Sequence, residues 1–159
     1  AYDFPLAEAG AGADQLFRTA DDPLLRSGLL FSGANEAWNG RAKDISSDDG
    51  ILTGREIALM NLGGTRLVVL SACSTALGDI DYSEGIYGLQ RAFRIAGADA
   101  ILVTLWEVPD RETTVFMTQF YERLAAGAPI RDAFDATQRS VRLKYPAKPA
   151  AWAGFMLVE

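Results

Sequence analysis

Cys73 is the one thiol in this chain, and it closes an apolar run, Leu67-Val68-Val69-Leu70-Ser71-Ala72-Cys73. A thiol becomes a nucleophile only as its thiolate, and at an ordinary pKa of about 8.5 it needs a neighbouring base to act near pH 7. A second apolar run, residues 100–105, leads into Trp106, Glu107 and Asp110, while Asp79, Asp81 and Glu84 lie between the two runs. Open α/β sheets gather functional groups at the carboxyl ends of their strands. A thiol beside several carboxylates at two such ends suits attack on a carbonyl that neighbours a basic side chain. The inert reading stands beside it, since free cysteine is among the most buried residue types.

The chain contains no histidine. A self-contained Ser-His-Asp or Cys-His site and any His-ligated metal site are therefore excluded from these residues alone. A single cysteine also excludes a disulfide framework and a multi-cysteine metal centre. No metal or cofactor is expected. Gly10, Gly12, Gly63 and Gly64 do not form a phosphate loop, because no Gly-Lys-Ser/Thr follows them and no G-x-G-x-x-G opens a helix.

The elements that must position these groups belong to one domain spanning 1–159, an ordinary size. Its 49% hydrophobic and 23% charged residues suit one sizeable core. A net charge of −6 carries no footprint for direct nucleic-acid binding. No apolar run approaches the roughly 18 residues of a membrane span, and the lone cysteine suits a reducing compartment, so a cytoplasmic location away from membranes is expected. Residues 1–50 read as an irregular lead-in and 51–159 as the α/β core with the Cys73 loop.

Within the lead-in, Leu29-Leu30-Phe31 fits a strand, and Thr53-x-x-Glu56 is a capping box ahead of a helical stretch at 55–60. Residues 66–70 read as a buried parallel strand ending at the thiol. Ile86, Leu89, Phe93 and Ala96 share one helical face, with Gly97 placed to stop it. A second buried strand is expected over 100–105. The stripe Met117, Phe120, Tyr121 and Leu124 then predicts a core-facing helix up to Gly127, capped by Asp110 or a neighbour. Ile130, Ala133, Phe134, Thr137 and Val141 predict another, ended by Pro146, and residues 152–158 a final strand. Arg91 and Arg94 read as a solvated face.

Several motifs in this order resemble one family. They are Ser71-Ala72-Cys73 after a buried strand, Glu84-Gly85 with Gly88-Leu89 opening a helix, Ala96-Gly97-Ala98, and Leu105-Trp106 with Val108 and Asp110. Pro23-Leu24-Leu25 with Ser27-Gly28-Leu29, Gly50-Ile51-Leu52-Thr53, and Trp152-Ala153 with Phe155 add to the likeness. Together they resemble the CHAT family of caspase-like cysteine peptidases, in the clan of caspases and separase. Ser74-Thr75-Ala76 departs from the Glu-Thr-Gly common after the family's cysteine, and alanine lacks glycine's freedom at positive φ.

The resemblance implies a caspase-like fold, a mostly parallel sheet with helices on both faces, of which this is the carboxyl-terminal portion. It implies a cysteine endopeptidase acting on protein or peptide substrates, with Cys73 as nucleophile and backbone oxyanion donor. The catalytic histidine then comes from a segment or chain upstream of Ala1. Asp110 aligns with an acidic residue that pairs with arginine in separase relatives. It is read either as selecting a basic residue before the cut or as a helix cap. Trp106 is either a wall of that pocket or core, and Glu107 and Glu84 either add negative potential or are solvated. The family often joins such a domain to helical repeats that position or restrain it. The rival reading is a catalytically silent pseudopeptidase that serves as a scaffold or interaction module.

Overall fold

The computed structural model describes residues 20–39, 49–70 and 82–159, with the backbone alone at 82–86. These fall into two compact units, the first built from parts of 20–62 and 82–97 and the second from 63–70 and 98–159.

In the first unit the chain enters through a 3-10 turn, Pro23–Leu25, whose amino end is capped by Asp22 accepting from the Leu24 N–H at 3.0 Å. Strand β1 (Gly28–Leu30) pairs antiparallel with β2 (Ile51–Thr53), Gly28 opposite Thr53. A short helix, α1 (Ala34–Trp38), packs Ala34 against Ile51. Thr53 both ends β2 and caps α2 (Gly54–Leu59). The capping box expected from the sequence is present: the Glu56 N–H donates to Thr53 Oγ1 at 3.2 Å, and the Thr53 N–H donates to the Glu56 carboxylate at 2.7 Å. Helix α3 (Tyr82–Ile95) buries Leu89 and Phe93, with Ala96 buried just past its end, and Gly97 at φ 103° turns the chain away, as their spacing predicts. The Leu62 N–H donates to the Ala96 carbonyl at 2.8 Å and ties the ends of α2 and α3 together.

The second unit holds a three-stranded sheet in the order β3 (Val68–Leu70), β4 (Ile101–Thr104), β5 (Phe155–Val158). β3 and β4 run parallel, and β4 and β5 antiparallel. The expectation of a mostly parallel sheet is therefore corrected: among the described strands one pairing is parallel and two are antiparallel. Helix parity supplies the reason. One helix between two strands returns the chain to start again in the same direction, whereas α4 (Asp110–Ala125) and α5 (Ile130–Lys144) form a two-helix excursion that brings β5 back reversed.

Other expectations also shift. β3 is half-buried rather than buried, as the outer strand of the three. The final strand begins at Phe155, and Trp152 stands in the turn after the 3-10 segment Pro149–Ala151. The buried face of α4 carries Glu112, Phe116 and Phe120, so the stripe is rotated from the predicted one and leaves Tyr121 exposed. α5 buries Ala133, Phe134, Thr137 and Val141 as their spacing predicts. All four residues of β4 are buried. Leu102 joins Phe155, Leu157, Phe116, Phe120 and Phe134 in the main core, into which Val108 also packs.

Candidate functional site

The register of the sheet decides what its edges carry. Leu70 of β3 lies opposite Val103 of β4 in a parallel pair, and Thr104 lies opposite Phe155 in an antiparallel one. The carboxyl ends of β3 and β4 and the amino end of β5 therefore share one edge of the sheet. Residues 105–110 leave from that edge, and the turn 149–154 arrives at it. Cys73 follows Leu70 by three positions in the sequence but lies outside the described residues, as do Asp79 and Asp81. Glu84 falls in the first turn of α3, where only the backbone is described.

Trp106, Glu107 and Asp110 are all brought to the loop that follows β4. Trp106 is 38% exposed, so it is not core. Its indole Nε1–H reaches the Ala150 carbonyl at 3.4 Å, a long hydrogen bond, and the ring lies against Gly154. Glu107 and Asp110 are exposed, whereas Val108 between them is buried and anchors the loop.

Asp110 is the first residue of α4 rather than its cap. Pro109 holds the cap position and makes no side-chain cap bond, which corrects the helix-cap alternative. The carboxylate at the first helical position still lies where the helix dipole favours negative charge. Thr113 Oγ1 donates to the Val108 carbonyl at 3.3 Å and Thr114 Oγ1 to the Asp110 carbonyl at 2.8 Å, which fix the backbone on either side of Asp110.

One residue of this region was not legible from spacing. Glu112 is 7% exposed and takes Lys148 Nζ at 3.5 Å, joining the first turn of α4 to the residue just before Pro149–Ala151. The partners stand 36 positions apart, and no short-range pattern signals such a pair.

A separate cavity of about 230 Å³ lies in the first unit, lined by Pro23, Leu24, Arg26, Tyr87, Gly88 and Arg91. None of the residues nominated from the sequence as a site lines it. Beside it, the Leu24 N–H above all holds the Asp22 carboxyl below its usual range, against the opposing effect of burial, and the Arg55 guanidinium, bound at 2.7 Å, adds to the pull. Arg91 adds a weaker pull. Among the described residues no three His, Cys, Asp or Glu side chains come together as a group that could hold a metal ion. No helix among them is long and apolar enough to cross a membrane.

Comparison with known proteins gives two findings. The family model described as "CHAT domain" matches residues 11–159. Tetratricopeptide repeat protein 28 of Mus musculus is 35% identical over 112 residues, 68% of this chain, and its Homo sapiens counterpart is 33% identical over the same length. The chain spans about 4% of the length of each of these relatives.

Proposed function

Because the chain belongs to the CHAT domain family, a caspase-like and protease-related family, we propose that it forms the nucleophile-bearing part of a cysteine endopeptidase. Cys73 supplies the thiolate, and the general base comes from outside these 159 residues, which contain no histidine. The thiolate attacks the peptide carbonyl, and the Cys73 amide donates to the resulting oxyanion. The carbon–nitrogen bond breaks as the base returns its proton to the departing amine, and water hydrolyses the thioester. The 159 residues act as one CHAT-type domain in this reading.

The observation that carries the proposal is the parallel register of β3 and β4. It brings the strand that leads to Cys73 and the loop bearing Trp106, Glu107 and Asp110 to a common edge, as a nucleophile and a substrate-selecting loop require. An exposed carboxylate at Asp110, which does not hold the cap position, with Glu107 adding negative charge, favours Arg or Lys before the cut. The relatives' name, a tetratricopeptide repeat protein, supports helical repeats joined to this domain, and in this proposal such repeats position or restrain it.

The test is turnover of a fluorogenic peptide series by the full-length protein. Cys73→Ala should lower turnover by about three orders of magnitude. Asp110→Asn should lose most of the preference for Arg and Lys at the cut. Absence of Cys73-dependent turnover from folded, activated full-length protein would return the domain to the scaffold reading, which the missing histidine keeps in view.

A further inference from the structure

The loop at 105–110 does not stand alone. It is fastened to the turn 149–154 by two hydrogen bonds, and an ion pair ties residues just beyond the loop and just before the turn. The Leu105 N–H donates to the Gly154 carbonyl at 2.7 Å and carries the β4–β5 ladder one step past Thr104 and Phe155. The Trp106 indole reaches Ala150, and Glu112 holds Lys148. The turn itself is fixed from the other side. Gln138 of α5 donates through Nε2 to the carbonyls of both Trp152 and Phe155, at 3.2 and 3.4 Å, and so brackets Gly154. Arg142 lies over the Trp152 ring at 5.1 Å.

Gly154 is where loop and turn meet with no space to spare. A Cβ at this position would stand 2.8 Å from Trp106 Nε1, 3.0 Å from Trp106 Cε2 and 2.9 Å from Val108 Cγ2. Contacts that short force something to move, because van der Waals repulsion rises steeply inside about 3.5 Å. The backbone on the Gly154 side is bracketed by Gln138, so displacement falls on the loop. Trp106 and Val108 flank Glu107, and Asp110 follows two residues later.

We propose that Gly154 is a positioning residue for substrate selection: its missing side chain lets the edge of the Trp106 indole approach the turn closely and thereby sets where Glu107 and Asp110 present their carboxylates to a basic substrate side chain. This rests on the peptidase reading above. Gly154 touches no substrate itself. A residue of this kind changes binding of the selected side chain and leaves the bond-breaking groups alone, so its signature is a change in KM without an equal change in kcat.

The experiment uses the full-length protein with Arg-containing and aliphatic fluorogenic peptides. Gly154→Ala should raise KM for the Arg peptide about tenfold with kcat held within about twofold, and should leave the aliphatic peptide nearly unchanged. In a Trp106→Ala background the same substitution should do far less, because the main neighbour of the new methyl group is gone. A general loss of fold would instead lower kcat for both peptides and persist without Trp106. Should Gly154→Ala not fold, Trp106→Phe, which withdraws the indole edge from Gly154 and Ala150, should give the same KM-only change. Wild-type turnover with either variant leaving the Arg preference intact overturns the positioning role alone. A wild type with no Cys73-dependent turnover overturns the peptidase reading and this role with it.

Discussion

In the second unit Phe116 stacks on Phe155 with ring centroids 3.8 Å apart and meets Phe134 edge-on at 5.9 Å, whereas the first unit, beside its buried Ile57, Leu89 and Phe93, carries a set of polar contacts. There Asp22 caps a turn and binds Arg55, and Thr53 and Glu56 exchange hydrogen bonds at the start of α2. The ring cluster joins β5 to both α4 and α5, elements far apart in sequence. The caps act over two and three residues, and of these polar contacts the Asp22–Arg55 pair alone reaches across 33 positions. Long-range apolar packing fixes a platform on which a loop such as 105–110 can be held still, because interiors packed to crystal-like density transmit displacement rather than absorb it. Local polar bonds fix where an element begins and leave its docking to other contacts.

The sharpest way to break this contrast is at Phe116, which is fully buried and touches both neighbouring rings. Phe116→Ala should cost the second unit about 3–5 kcal/mol, read from urea unfolding, because the lost transfer energy is joined by a cavity that three fixed elements cannot close. On the proposed peptidase reading, selectivity at the cut should degrade along with stability, since Val108 shares that core. A cost under about 1 kcal/mol would mean the rings are not the brace.

Local signals were the most legible part of the fold. Thr53 and Glu56 announced α2, and Leu89, Phe93 and Ala96 with Gly97 announced α3 and its stop. Each depends on residues within one or two turns. The mixed sheet was missed although the order strand, helix, helix, strand was read correctly, because the direction of β5 follows from counting helices between strands rather than from any strand's own pattern. The face of α4 was misplaced because Phe116 lies one position before the stripe that began at Met117, and a helix turns about 100° per residue. At the candidate site, residue types pointed to Trp106, Glu107 and Asp110. What holds them did not show: Gly154 stands 48 positions from Trp106, and Glu112 stands 36 from Lys148.

A smaller effect sharpens the same contrast in the first unit. Thr53→Ala removes the acceptor for the Glu56 N–H and the hydroxyl that donates to the Glu56 carboxylate at 2.7 Å while keeping the backbone N–H at position 53, and should cost about 1 kcal/mol. Hydrogen exchange at the Glu56 and Ile57 amides is the measurement, since local opening of a helix start is read there before global unfolding. Equal protection in the variant would show that packing of Ile57, which is fully buried, sets α2 and that the cap is incidental.

The smallest effect, and the one with a direction in pH, belongs to Asp22. Its carboxyl titrates below the ordinary value because the Leu24 N–H and then Arg55 favour the charged form. A group whose pKa is depressed in the folded state contributes stability that is fully present above its unfolded pKa and is lost as pH falls through the folded one. Asparagine keeps an oxygen to accept from Leu24 and loses the charge, so Asp22→Asn isolates the ionic part. Arg55 and Asp22 are 37% and 30% exposed, and solvent screening keeps that part below about 1 kcal/mol. Urea midpoints of the wild type and Asp22→Asn should therefore differ modestly at pH 7 and converge as pH falls through the depressed pKa of folded Asp22, below which both side chains are neutral. The gap at pH 7 should also narrow in high salt. No difference between the two at pH 7 would place the role of Asp22 in its hydrogen bond to Leu24 rather than in its charge. The first unit would then depend on cap geometry alone, and the contrast with the ring-packed second unit would lie in the reach of the contacts and not in their electrostatics.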